Sequence, residues 1–143
     1  MTTSYTALKP LRPTLYRLAQ DGCSLDFIYV QCSACGGLTF PANAPGCMHC
    51  GDPLEGATQL VRPGRGTLLE YVTIHVPMVP GMPVPCIAGD IRFAEGVIEE
   101  GVIAVSDESS LQLGMELKAV ATPGPSSEVY TCQFVPATMK ESQ

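Results

Sequence analysis

The chain is poor in the residues that bind nucleic acids. It has no tryptophan, five tyrosines, four phenylalanines, and only eight Lys plus Arg against fourteen Asp plus Glu. The formal net charge is −6 and the pI is near 4.7. Its cations, Lys9, Arg12, Arg17, Arg62, Arg65, Arg92, Lys118 and Lys140, are scattered, with only Arg62 and Arg65 close together. Phosphate binding draws on clustered Lys and Arg, so a nucleic-acid partner is not expected. Long apolar runs are also missing. None nears the roughly 20 residues that cross a bilayer, so no membrane partner is expected. The N-terminus has neither an apolar stretch of signal-peptide length nor a cleavage-like site, and a cytoplasmic location is the expectation.

Fourteen Gly and thirteen Pro in 143 residues leave little room for long helices and favour turns and short strands. With 45% apolar residues, the chain can build one core but not two independent ones. Four segments separate by pattern: a docking segment at 1–24, a metal segment at 25–60, a strand-rich segment at 61–137 and a polar tail at 138–143. Within the first, Pro13 to Asp21 reads as a short helix, with Pro13 in its first turn and Gly22 ending it. So short a helix needs something to pack against.

Seven cysteines are an odd number for a disulfide scaffold, and four of them form two CxxC pairs. Cys32-Ser-Ala-Cys35-Gly36-Gly37 and Cys47-Met-His-Cys50-Gly51 are two copies of one design, with eleven residues between Cys35 and Cys47. A tight turn aims both sulfurs of a pair at one point. The glycine that follows allows backbone N–H groups to approach them. Two facing knuckles give tetrahedral all-sulfur coordination of one structural zinc. Iron on four thiolates is the alternative, but rubredoxins usually separate their pairs by a far longer gap. With all four positions filled by protein, such an ion stabilises and does not catalyse. His49, inside the second knuckle, is a fifth candidate ligand or a solvent-facing spacer, and the spacer reading is preferred.

From Arg62 to Pro136 strand follows strand: GTLLEYVTIHV, PCIAGDIRFAEG, GVIEEGVIAV, ELKAVAT and EVYTCQFVPA. The pattern indicates a mainly β protein in which a rubredoxin-like zinc ribbon precedes a five-stranded barrel of the OB type, with a sandwich as the alternative. No catalytic set assembles. Cys86 and Cys132 lie among apolar strand residues, Cys23 has no histidine nearby, and His75 ends a strand beside Val76 and Pro77. Arg65, in Gly64-Arg65-Gly66, opens a strand and not a helix, so it does not belong to a phosphate loop.

The order of blocks resembles the zinc-ribbon and OB-fold proteins that accompany thiolases and related acyl-CoA condensing enzymes. The residues that carry the resemblance are Gln31-Cys32-Ser33-Ala34-Cys35-Gly36, Phe40-Pro41, Cys47-Met48-His49-Cys50-Gly51, Gly64-Arg65-Gly66-Thr67, Pro83-Val84-Pro85 and Leu113-Gly114-Met115. One departure is Ala42-Asn43, where that family often has a basic residue after Phe-Pro. The resemblance implies a non-catalytic subunit of a hetero-oligomer. The thiolase-like partner would hold the catalytic residues, and acyl-CoA or CoA would lie near the interface. It further implies partner or CoA contacts at Leu15, Tyr16, Arg17 and Arg65. Within the family it points to the small subunits of benzoylsuccinyl-CoA thiolases of anaerobic toluene degradation. A single-stranded nucleic-acid module and a small iron redox protein are the alternatives.

Overall fold

A mostly apolar segment long enough for a strand but not a helix, LDFIYVQ, lies at the centre of the molecule. The computed structural model describes residues 4–137, and the expected polar tail at 138–143 lies outside them. The LDFIYVQ run is β3 (Leu25–Gln31). It pairs antiparallel with β2 (Tyr16–Leu18) and β4 (Leu38–Thr39), and on its other edge with β5 (Thr58–Pro63). Both faces of β3 are covered along Phe27–Val30, which is why those four residues are all apolar. Leu25, Phe27 and Tyr29 join the main core, whereas Val30 turns to a small cluster with Cys32, Cys47 and Leu54.

The second sheet is a closed barrel of β6 (Arg65–Ile74), β7 (Cys86–Ala94), β8 (Val97–Ile103), β9 (Glu116–Pro123) and β10 (Val129–Pro136). Strands β6, β7 and β8 form an antiparallel meander, and β9 joins β6 to β10. A single parallel bridge between Phe134 and Ile103 closes β10 onto β8. This is the OB arrangement expected from the strand pattern. Leu68, Ile91, Val97 and Leu117 are fully buried at its centre. Gly101 makes the closure possible, because a Cβ there would lie 2.5 Å from the ring of Phe134.

Ribbon and barrel share one core. Phe27 of β3 lies 4.6 Å from Phe93 of β7 and 6.1 Å from Phe134 of β10, centroid to centroid. Phe40 adds contacts of 5.6 Å to Phe27 and 5.4 Å to Phe93. These rings fill the barrel wall beside the short β8–β10 seam, where Leu15, Tyr16, Phe27, Phe40 and Phe93 line one crevice.

The expected helix over Pro13–Asp21 does not form. Residues Lys9–Pro10 are β1, parallel to β10, and Tyr16–Leu18 pair with Leu25–Phe27 as β2. Backbone pairing with β3 satisfies this segment better than an isolated helix of two turns. Gly22, at φ +79°, belongs to the β2–β3 turn and does not cap a helix. Asp21 holds that turn by accepting from the N–H of Cys23 at 2.9 Å and of Ser24 at 2.7 Å.

Candidate metal centre and its surroundings

Cys32 lies just past the end of β3, where its N–H donates to Gly37 O at 2.9 Å while Gly36 N–H returns to Cys32 O at 2.9 Å. The second pair repeats the pattern. Cys47 N–H donates to Asp52 O at 2.8 Å, and Gly51 N–H donates to Cys47 O at 2.9 Å. Gly36 and Gly51 take φ values of +79° and +85°, the conformation that turns the chain tightly after each pair. Amides then point at sulfur: Ala34 to Cys32 at 3.4 Å, Gly37 to Cys35 at 3.4 Å, and His49 to Cys47 at 3.3 Å.

The four sulfurs converge, all within 4.8 Å of one another. Cys32 and Cys50 are 3.7 Å apart, and Cys35 and Cys47 are 3.6 Å apart. A tetrahedral ion with metal–sulfur bonds of about 2.3 Å requires sulfur–sulfur edges of about 3.8 Å, so the donor set fits one structural zinc. Cys32 and Cys47 face the protein, while Cys35 and Cys50 face outward. The backbone N–H groups of Cys50 and then His49 pull the Cys47 thiol down to about 6, against the opposing effect of burial. Cys50 is pushed up to about 12: the Asp52 N–H lowers it, but burial and the neighbouring thiols outweigh that pull. A metal cation reverses this mutual repulsion by holding every sulfur as thiolate. Thr39, 1% exposed, accepts from Met48 N–H at 3.1 Å and anchors the second knuckle to β4.

His49 is exposed, as the spacer reading expects, but its ring also makes contacts the sequence did not show. Its ring reaches Leu38 O and lies against two glycine backbones, one in the ribbon and one in the barrel. Spacing within a CxxC pair carries no information about what the middle residue touches, so the sequence held no signal for this contact.

The residues expected at a partner or CoA contact divide by exposure. Arg17 and Arg65 are exposed, Leu15 is half-buried, and Tyr16 is 4% exposed with its hydroxyl 3.4 Å from Thr131 Oγ1. Arg65 Nε donates to Glu116 Oε2 at 2.7 Å across β6 and β9, which lowers the Glu116 carboxyl below its usual range.

Two surface clefts flank the barrel. One, about 590 Å³, lies between ribbon and barrel and is lined by Leu38, His49, Arg62, Phe93 and Glu95 among others. The other, about 490 Å³, gathers His75, Cys86, Asp107 and Glu108 at one barrel mouth. The sequence reading missed this grouping because cross-strand neighbours are set by register. Its acids serve the local structure: Asp107 accepts from Ser109 N–H at 2.9 Å, and Glu108 bonds to the Thr73 hydroxyl. Half-buried Cys132 is pushed up to about 12 by desolvation, so it stays a thiol at neutral pH. Among the described residues, no helix is long and apolar enough to cross a membrane.

Comparison with known proteins adds two family matches in the same order as the structural units. Residues 24–55 match "ChsH2, rubredoxin-like zinc ribbon domain", and residues 61–122 match "ChsH2, C-terminal OB-fold domain". The chain is similar to the 3-oxo-4,17-pregnadiene-20-carboxyl-CoA hydratase alpha subunit of Mycobacterium tuberculosis H37Rv, at 28% identity over 110 residues. That match takes in 77% of this chain but 34% of the relative, so the chain spans about a third of that relative's length. Among solved structures, a chain of the Ltp2-ChsH2(DUF35) aldolase superposes with a TM-score of 0.61 at 23% identity, covering 78% of this chain and 84% of the other. That likeness establishes the shared fold.

Proposed function

We propose, from the matches of residues 24–55 and 61–122 to the zinc-ribbon and OB-fold domain models of ChsH2, that this chain is a non-catalytic subunit of a complex acting on acyl-CoA thioesters. The observation that carries the proposal is the joint match of both domains to the ChsH2 models, beside a relative named as the alpha subunit of a carboxyl-CoA hydratase. Its metal centre supports the reading. A closed four-thiolate shell leaves no coordination position for water or substrate, so the zinc shapes a surface and performs no chemistry.

The proposed partner is a thiolase-like catalytic subunit that supplies the nucleophile and acid–base groups, with acyl-CoA near the interface. The first 24 residues are the proposed docking segment, with exposed Arg17 and half-buried Leu15 as contacts beside buried Tyr16, and exposed Arg65 on β6 is a further proposed contact. The finer proposal for the reaction is thiolytic cleavage of benzoylsuccinyl-CoA in anaerobic toluene degradation. The names of the relatives favour a second reading, in which the partner is a hydratase or an aldolase. Both readings share the CoA thioester.

The test is co-expression with a thiolase-class reading frame adjacent in the genome. A stable two-chain complex with CoA-dependent cleavage of benzoylsuccinyl-CoA is expected. Two chains that elute separately would sink the partnership. A complex that hydrates or splits an acyl-CoA without added CoA would replace the thiolase with the second reading.

A further inference from the structure

We propose that His49 is a positioning residue that couples the zinc knuckle to the barrel, so that metal binding holds the β7–β8 hairpin in place. Three segments distant in sequence meet at its imidazole. Nε2–H donates to Leu38 O, 2.6 Å away, at the exit from the first knuckle. A Cβ on Gly37 would lie 2.7 Å from His49 Cδ2, and one on Gly96 would lie 2.7 Å from His49 Cε1. Real Cβ atoms do not approach so closely, so only glycine backbones on both sides admit the ring. Gly96 is the turn residue between β7 and β8, and the ring therefore touches the tip of a barrel hairpin.

The coupling has an anchor at each end. On the ribbon side, the His49 N–H points at Cys47 Sγ, 3.3 Å away, so its backbone position is set by a metal ligand. On the barrel side, the hairpin runs directly into Phe93, which packs on Phe27 and Phe40 in the shared core. His49 is unsuited to a fifth ligand role, because Nε2 is engaged by Leu38 and four sulfurs complete the shell. Its contact instead forms one wall of the cleft shared with Arg62, Phe93 and Glu95. Zinc occupancy thereby sets the shape of a surface cleft without touching its contents. This inference does not depend on the proposed enzymatic partner.

The test uses the full zinc-loaded chain and His49→Ala. Metal content by mass spectrometry should stay at one zinc per chain. Amide exchange in the Phe93–Ile98 hairpin should rise about fourfold, the factor expected when apolar packing worth about one buried methylene is lost at Gly96, while β9 and β10 stay unchanged. Stripping zinc from the wild-type chain should accelerate the same hairpin. Unchanged hairpin exchange in either experiment, or loss of zinc from His49→Ala, overturns the proposal. A double-mutant cycle provides a second check that needs no comparison of absolute stabilities. Gly96→Ala carries backbone strain at φ +77° in any background, but its clash with the ring exists only when His49 is present. It should therefore lower the urea midpoint less in the His49→Ala background. Equal shifts in the two backgrounds would also overturn the coupling.

Discussion

The ribbon and the barrel solve the same problem by different means. The barrel closes on itself around fully buried Leu68, Ile91, Val97 and Leu117 and gains its stability from apolar area removed from water. The apolar cluster under the metal has just Val30, Cys32, Cys47 and Leu54 as buried members, too few to hold two loops against their chain entropy. There the ion replaces the core. Between the two regions lies the aromatic cluster of Phe27, Phe40, Phe93 and Phe134, which belongs to both. The comparison shows that a metal-held unit and a core-held unit can be coupled through a few rings, so damage to one reaches the other by a definable route.

The sharpest way to break the comparison is to remove a ligand. Cys47→Ser should abolish stoichiometric zinc and cost the ribbon on the order of 10 kcal/mol of metal-linked folding free energy. Zinc analysis together with amide exchange should show the knuckles and β4 opening while the centre of the barrel stays protected. Full protection of the knuckles without zinc would refute the division of roles. Next in size is Phe27→Ala, which should cost about 3–5 kcal/mol through the cavity left in the shared core. Because both regions use this ring, chemical denaturation should remain a single transition at a lower midpoint. A variant in which only one region melts early would separate the two units.

Smaller effects sharpen the picture. Arg65→Ala removes an ion pair whose side chains are 47% and 53% exposed, so it should change stability by less than about 1 kcal/mol. The smallest effect concerns Asp21, whose carboxyl is lowered from 3.8 to about 2: burial raises it, but the N–H groups of Cys23 and Ser24 outweigh that. A depressed folded value means its contribution is present above pH 3.8 and is lost as pH falls through about 2. Asp21→Asn should flatten the stability–pH curve in that window, by well under about 1 kcal/mol because the side chain is exposed. An unchanged curve would show that the turn does not use the charge.

Much of the architecture was legible in the chain. The five barrel strands follow from β-branched runs separated by Gly and Pro, whereas burial of LDFIYVQ on both faces came only with the fold. The segment around Tyr16 misled for a physical reason. Leu15 and Leu18 share a face in a helix, but as β2 the same residues gain backbone partners on β3, a contact that no local pattern encodes. His49 is exposed as expected, but its contacts with Leu38 and Gly96 were not legible, because those partners are brought to it by the fold.

By itself, the sequence determined the metal centre. Each knuckle is a closed local ring of a few residues, and glycine after each CxxC supplies the conformation that turns amides toward sulfur. Tertiary structure alone decided that the N-terminal segment is strand, that Phe27 and Phe40 enter the barrel's core, and that His49 touches the β7–β8 turn. Those outcomes depend on which distant surfaces meet, and hydrophobic burial is non-directional: it dictates that aromatic rings be covered, while the register of the strands selects what covers them.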